Sequence, residues 1–456
     1  MRNLLRLGME EDQVVEVEAE QQVEPLNIDP TEAAVMVNDA QAEVTTSDNN
    51  MRNMERMLQM SDGLEDLAVI AENIETATPV EAALINASAQ MAVAGTDVDA
   101  TEIVPAMEAH GRVGMEMAET LREKAKAIWD SVHGALAGVR ESIAEWFRKN
   151  VGVVPLLRSH VDEIRGELDK YAKEKATPIK FTWSTDFFIV GDRKITNFKD
   201  LKEVVADELA TLKWVAEDYA KGLLKVGEGI AKAYADYKQD DIEGFAKDLT
   251  AALRHEAKFP GHKESTARRP SSTTYVGAAL FCGVSLVQHD MIARNKGDMA
   301  AELEAARTST IVVEDTNLKT KVVPTEIRFD AFELSECYEL LDMVTEIADI
   351  VEHFNRSAFP KELQEVTKRI DESIIKIITS YKETNEITEE QKALLKVAAN
   401  VSVSFASMVK TPIQPIFKHA GDVGFQLTQM SHAGLEKIKG NLSAEADADE
   451  VEVEAE

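Results

Sequence analysis

Residues 179–192, IKFTWSTDFFIVGD, mark the place where the pattern of this 456-residue chain turns from helical to extended. Ile179, Phe181 and Trp183 alternate with Lys180, Thr182 and Ser184, the two-residue period of a strand with one buried face. A second run, Phe187-Phe188-Ile189-Val190, leads into the turn signal Gly191-Asp192. Helical periodicity flanks this insert on both sides. The fold class that follows is α+β: a predominantly helical body with a small interrupted antiparallel or mixed sheet.

Upstream, Leu121, Ala125, Ile128, Val132, Leu136, Val139, Ile143 and Trp146 step by three or four and predict a helix over 117–150 with a single apolar stripe. Arg148 and Lys149 suit the negative end of its dipole, and Val153-Val154-Pro155 breaks it. A second helix is expected over 156–175, so that 109–176 reads as an amphipathic helical segment. Trp129, Trp146 and Phe147 give it the flavour of a membrane-interface helix. Its polar face also carries Glu119, Glu123, Asp130, Glu141 and Glu145, which suits packing on another helix better than contact with lipid.

Downstream, Thr196 or Asn197 is placed to cap a helix over 198–226, with Leu201, Val205, Leu209, Leu212 and Val215 on its face. Another helix is expected over 241–256. After a loop rich in Gly, Pro, Ser and Thr, residues 275–287 read as one buried strand. Two more strands, Ile311-Val312-Val313 and Lys321-Val322-Val323, fall within 308–329, closed by Ile327-Arg328-Phe329. These make 177–330 an α+β domain, with strands near 179–190, 275–287 and 308–329. The helical domain 331–443 follows, with helices over 332–354, 360–384, 388–410 and 417–439. Thr388 and Gln391 spell a capping box.

The two ends differ from everything between them. Residues 1–108 hold no lysine, histidine, cysteine or aromatic residue, and set 23 acids against Arg2, Arg6, Arg52 and Arg56 for a net charge of −19. The first lysine is Lys124 and the first aromatic Trp129. Such a segment lacks the side chains that make burial strong, so an acidic leader, largely disordered with weak helices, is expected. Within it, 51–95 is the more helix-prone part: Met54, Met57, Leu58, Leu64, Leu67 and Ile70 suit weak, reversible helix association better than a rigid core. The last 13 residues, 444–456, carry seven acids and no base and are expected to form a disordered acidic tail. Their Glu450-Val451-Glu452-Val453-Glu454 echoes Glu16-Val17-Glu18. Between the ends the charge is nearly balanced, with 52 acids and 46 bases over 109–443.

Composition excludes several classes. Cys282 and Cys337 cannot build a disulfide framework and read as small core residues. The apolar part of Leu4-Leu5-Arg6-Leu7 is too short for a secretory signal, and no run reaches membrane-spanning length. The expectation is a soluble intracellular protein. A chain of net charge −32 repels nucleic acid except at a local basic patch. Lys263, Arg268 and Arg269, beside His262, are the candidate phosphate contacts.

No catalytic, cofactor or metal site emerges. Gly283-Val284-Ser285-Leu286-Val287 lacks the second glycine of a nucleophile elbow, and His289 and Asp290 follow too closely to serve as triad partners. Ser184, Thr185, Asp186, Glu203 and Asp207 could be posed as acid–base groups. Glu203 and Asp207 lie at i, i+4, the spacing of a solvated helix face. Gly222, Gly227 and Gly229 sit in a helical pattern without the Lys-Ser/Thr end of a phosphate loop. The nine histidines are scattered, none paired at ligand spacing beside a carboxylate.

Ala106-Met107-Glu108 precedes Ala109-His110-Gly111-Arg112, and Lys124-Ala125-Lys126-Ala127-Ile128-Trp129 follows within the long amphipathic helix. An acidic aromatic-free leader, a small-x-Glu junction and such a helix together resemble the internal head (inner core) proteins of large tailed bacteriophages. The resemblance covers roughly residues 1–170. It implies a virion structural protein rather than an enzyme, made as a precursor whose leader directs it into the prohead core. It implies that the prohead protease cuts after a glutamate preceded two residues earlier by Ala, Ser or an apolar residue. The main junction would then be Ala106-Met107-Glu108 before Ala109, and the secondary one Ser443-Ala444-Glu445; Ala100-Thr101-Glu102 also matches. Implied partners are that protease, other internal head or scaffold proteins, packaged DNA at local basic patches, and further copies of the chain. The capsid interior and, during assembly, the host cytoplasm are the implied locations. Two other classes compete. A non-virion phage or host-directed binding protein with disordered acidic ends would be missing from purified particles, and an enzyme using Ser285 would lose activity on Ser285→Ala.

Overall fold

A computed structural model describes residues 153–171, 187–191, 193–237, 241–254, 258–265, 271–295, 297–315, 333–382 and 389–453, together with Leu64, Leu67, Ala68, Ser88, Glu141 and Glu145. The described body is mostly helical with a small antiparallel sheet, as the patterning predicts. The helix expected over 117–150, the alternating run 179–183, the strands at 321–329 and the Thr388 box lie outside the described residues, although Glu141 and Glu145 are helical.

Helix α1 (Val153–Leu168) begins two residues before Pro155, in the first turn, where a missing N–H costs nothing. Strands β1 (Ile189–Val190) and β2 (Arg193–Lys194) pair antiparallel across a turn in which Gly191 has φ +58°. Asn197 caps α2 (Phe198–Trp214): its side chain accepts from the Asp200 N–H at 2.9 Å. The helix does not stop near 226. A π-turn (Val215–Tyr219) carries it into α3 (Ala220–Ala235), and its two interior glycines are contact points. A Cβ on Gly227 would lie 2.4 Å from Val366 Cγ1 and 2.7 Å from Phe405 Cζ, and one on Gly229 would lie 2.8 Å from Ala252 Cβ. These contacts let α4 (Ile242–Leu253), α7 (Phe359–Lys382) and α8 (Glu389–Lys410) close on α3.

Residues 275–287 are not one strand. The chain runs out along β4 (Ser272–Val276), turns over 277–283 and returns along β5 (Val284–Met291), with Val276 opposite Val287. The cause is local. Cys282 and Gly283 both take positive φ, 57° and 69°, and two ladder bonds close the turn, Gly277 N–H to Leu286 C=O and Leu280 N–H to Val284 C=O, each 2.8 Å. A run of small apolar residues reads the same whether it extends or reverses. The four-stranded sheet has the order β3 (Lys263–Glu264), β4, β5, β6 (Thr310–Asp315), all antiparallel. Tyr275, Leu286, Ile311 and Val313 share the face that joins the core. Helix α5 (Met299–Thr308), which the sequence reading missed, is capped by Asp298 and packs on β5.

Helices α6 (Leu334–Arg356) and α9 (Ile413–Val453) form the centre of the bundle, with α1 against both and α2 beside α6. Among the described residues, buried side chains from the 177–330 and 331–443 stretches belong to one hydrophobic cluster. Ile438 is the last described buried residue of α9, whose helix continues through the acidic stretch to Val453. At the other end of the chain, Leu64 and Ala68 are buried in that same core with Leu67 packed against it, while the rest of 51–95 apart from Ser88 lies outside the described residues.

Candidate functional site

The hydrolase reading of Ser285 does not survive its geometry. Ser285 and His289 lie four residues apart on β5, which sets their Cα atoms about 13 Å apart, far beyond hydrogen-bond reach. His289 is engaged elsewhere, with Nε2 2.9 Å from Glu314 Oε1 and Nδ1 3.3 Å from Thr274 Oγ1. Asp290 accepts from Gln288 Nε2 at 2.7 Å. Glu203 and Asp207 face solvent on α2 as their spacing predicts, while Ser184, Thr185 and Asp186 lie outside the described residues.

Among the candidate phosphate contacts, Lys263 is exposed on the edge strand β3, and Arg268 and Arg269 lie outside the described residues. His262 belongs to the aromatic packing: its ring stacks on Tyr275 at 4.5 Å and meets Phe259 edge-on. The cysteines divide. Cys337 is a core residue whose thiol burial pushes up to about 12. Cys282 is exposed, contrary to expectation: its backbone is left-handed, and it stands between buried Phe281 and Gly283. The described residues hold no cluster of His, Cys, Asp and Glu able to bind a metal ion, and no helix among them is long and apolar enough to cross a membrane.

The most strongly built polar site escaped the sequence reading. Glu208 falls in the apolar stripe of α2 between Val205 and Leu212 and is 5% exposed. Its Oε1 accepts from the Phe281 N–H at 2.8 Å and meets His419 Nε2 of α9, also at 2.8 Å. One carboxylate therefore ties together α2, α9 and the reversing turn of the sheet. Burial works against a charged His419, but the Glu208 carboxylate, with Asp422 adding to it, outweighs burial and lifts the imidazole above its ordinary range. The signal was an acid in register with Leu201, Val205 and Leu212. Its partner stands 211 residues away.

On the outer face of α6 the acids Glu339, Asp342, Glu346, Asp349 and Glu352 recur every three or four residues. Lys202 and Lys213 of α2 meet Glu339 and Glu346 at 2.5 and 2.9 Å. From α1, Arg165 meets Asp342, and Arg158 reaches Asp349 at 2.6 Å and Glu352 at 2.5 Å. Each exposed pair contributes at most about 1 kcal/mol. Their effect is on charge: the acids of the body here have bases beside them.

The cleavage candidates fall differently. Ala106, Met107, Glu108 and Ala109 lie outside the described residues, as do Ala100, Thr101 and Glu102. Ser443, Ala444 and Glu445 are helical, within α9.

The sequence profile of the phiKZ-like phage internal head proteins matches residues 18–433. The chain belongs to that family. No curated protein and no solved structure matches it. As an internal head protein it is a structural component of the phage virion, in the capsid interior among the other components of the head. The match runs from the leader almost to the end of the buried part of α9, so it covers the sheet and both groups of helices. For such a protein the Glu208–His419 tie reads as structural support, holding the sheet to the bundle.

Proposed function

We propose that this internal head protein is made in the host cytoplasm as a precursor, enters the prohead core, and is cut there by the prohead protease after Glu108. A second cut follows Glu445, and the mature body is packaged with the genome. What carries the proposal is the coincidence of charge with junction. The −19 leader ends at the small-x-Glu sequence Ala106-Met107-Glu108, and the acidic tail begins at a second one, Ser443-Ala444-Glu445. Cutting at both leaves a body of nearly balanced charge, able to lie beside DNA with far less repulsion. Lys263, Arg268 and Arg269 then supply local contacts to phosphate, and the leader contacts other core or scaffold components during assembly.

The helical setting of Ser443–Glu445 is compatible with cleavage. A protease takes extended chain, and α9 can fray past Ile438 without uncovering any described core residue. Intact-mass and N-terminal analysis of the protein from purified particles tests the proposal. An N-terminus at Ala109 is expected; one at Met1, or absence from particles, refutes it.

A further inference from the structure

Leu64, Leu67 and Ala68 are each helical and stand at i, i+3 and i+4, the spacing of one helix face. Leu64 is 0% exposed and Ala68 1%, and Leu67 packs against the same cluster of buried body side chains. Asp62, Glu65 and Asp66 lie beside or between them in sequence, so apolar side chains that reach the core sit in an acidic stretch. The junction at Glu108 is 40 residues beyond Ala68, and breaking a peptide bond there disturbs none of these contacts.

We propose that the leader is a docked plug: the side chains of Leu64, Leu67 and Ala68, packed into the body's core cluster, keep the cut leader in place without a covalent bond until it is displaced. The proposal rests on the precursor reading for its biological occasion. Proteolysis and release are then separate steps. The first removes the tether. The second is driven by charge, because a −19 segment is repelled by any polyanion brought near it.

The test uses the full chain with a site-specific protease sequence inserted between Glu108 and Ala109, folded first and cut afterwards. After size exclusion the leader is expected to co-elute with the body at low salt and also at about 1 M salt, where screening reaches roughly 3 Å. Separation at either salt overturns the proposal; loss at high salt alone would mean that ionic contacts hold the leader. The double variant Leu64→Asp/Ala68→Asp is expected to release the leader on cutting, and retention would overturn the assignment of the plug. Should that variant not fold, Leu64→Ala is expected to weaken the leader's binding by about 30-fold or more, from the cost of an emptied core site. An unchanged affinity would again overturn it. Because the cut is engineered, these outcomes do not depend on where the native protease acts, which the N-terminus of the mature protein decides.

Discussion

The leader and the tail are alike in composition and unlike in what they hold. Both are acidic, both alternate Val with Glu, and both end or begin at a small-x-Glu sequence. Yet the leader sends Leu64, Leu67 and Ala68 into the body's core, whereas the described burial of α9 ends at Ile438, before the tail starts. Charge density therefore does not by itself keep a stretch of chain out of the fold. Three apolar side chains at helical spacing suffice to bring part of an acidic leader into the core.

Acid inside the body provides the sharpest contrast with acid at the ends. If charge as such governed stability, removing a few acids from either end would matter as much as disturbing Glu208. The Glu208–His419 tie predicts otherwise. His419→Ala leaves Glu208 buried without its cationic partner and should cost about 3–5 kcal/mol in chemical denaturation. The pH dependence has a definite sign. His419 titrates above its unfolded value near 6.5, so its contribution is fully present below that value and is lost as pH rises through the raised folded-state pKa. The thermal midpoint should fall across that window in the wild type, and His419→Ala should flatten that fall. At the small end of the scale, truncation after Glu445 should change stability by no more than about 0.5 kcal/mol, the range of surface changes that touch no core. A larger loss in the same denaturation experiment would mean that the two ends are equivalent after all.

Local signals carried well. Asn197 announced its helix through cap chemistry, the β-branched run Ile311-Val312-Val313 lies within β6, and α6, α7 and α8 begin and end near their predicted limits. Helix α9 instead runs from Ile413 to Val453, well past the expected end at 439 and into the acidic stretch expected to be disordered. Residues 275–287 failed because Gly and Ala are small and apolar in a strand and in a turn alike. The positive φ at Cys282 and Gly283 and the antiparallel pairing of β4 with β5 reveal the reversal. Helix α5 was missed because its face is short, with only Leu303 and Ala306 buried. Glu208 stood in plain view as an acid on an apolar stripe, but its meaning depends on His419 and on the turn at Phe281. The anchor of the leader was hidden for a related reason. Its residues were seen, but three apolar side chains in an acidic stretch show strong burial only once the body supplies the surface to receive them.

Hydrogen exchange on the intact precursor, read by mass spectrometry, tests the difference between the two ends most directly. The amides around Leu64–Ala68 should exchange slowly, with protection approaching that of α6, while those of α9 beyond Gly440 exchange fast despite their helical backbone. Equal, rapid exchange at both ends would contradict the account.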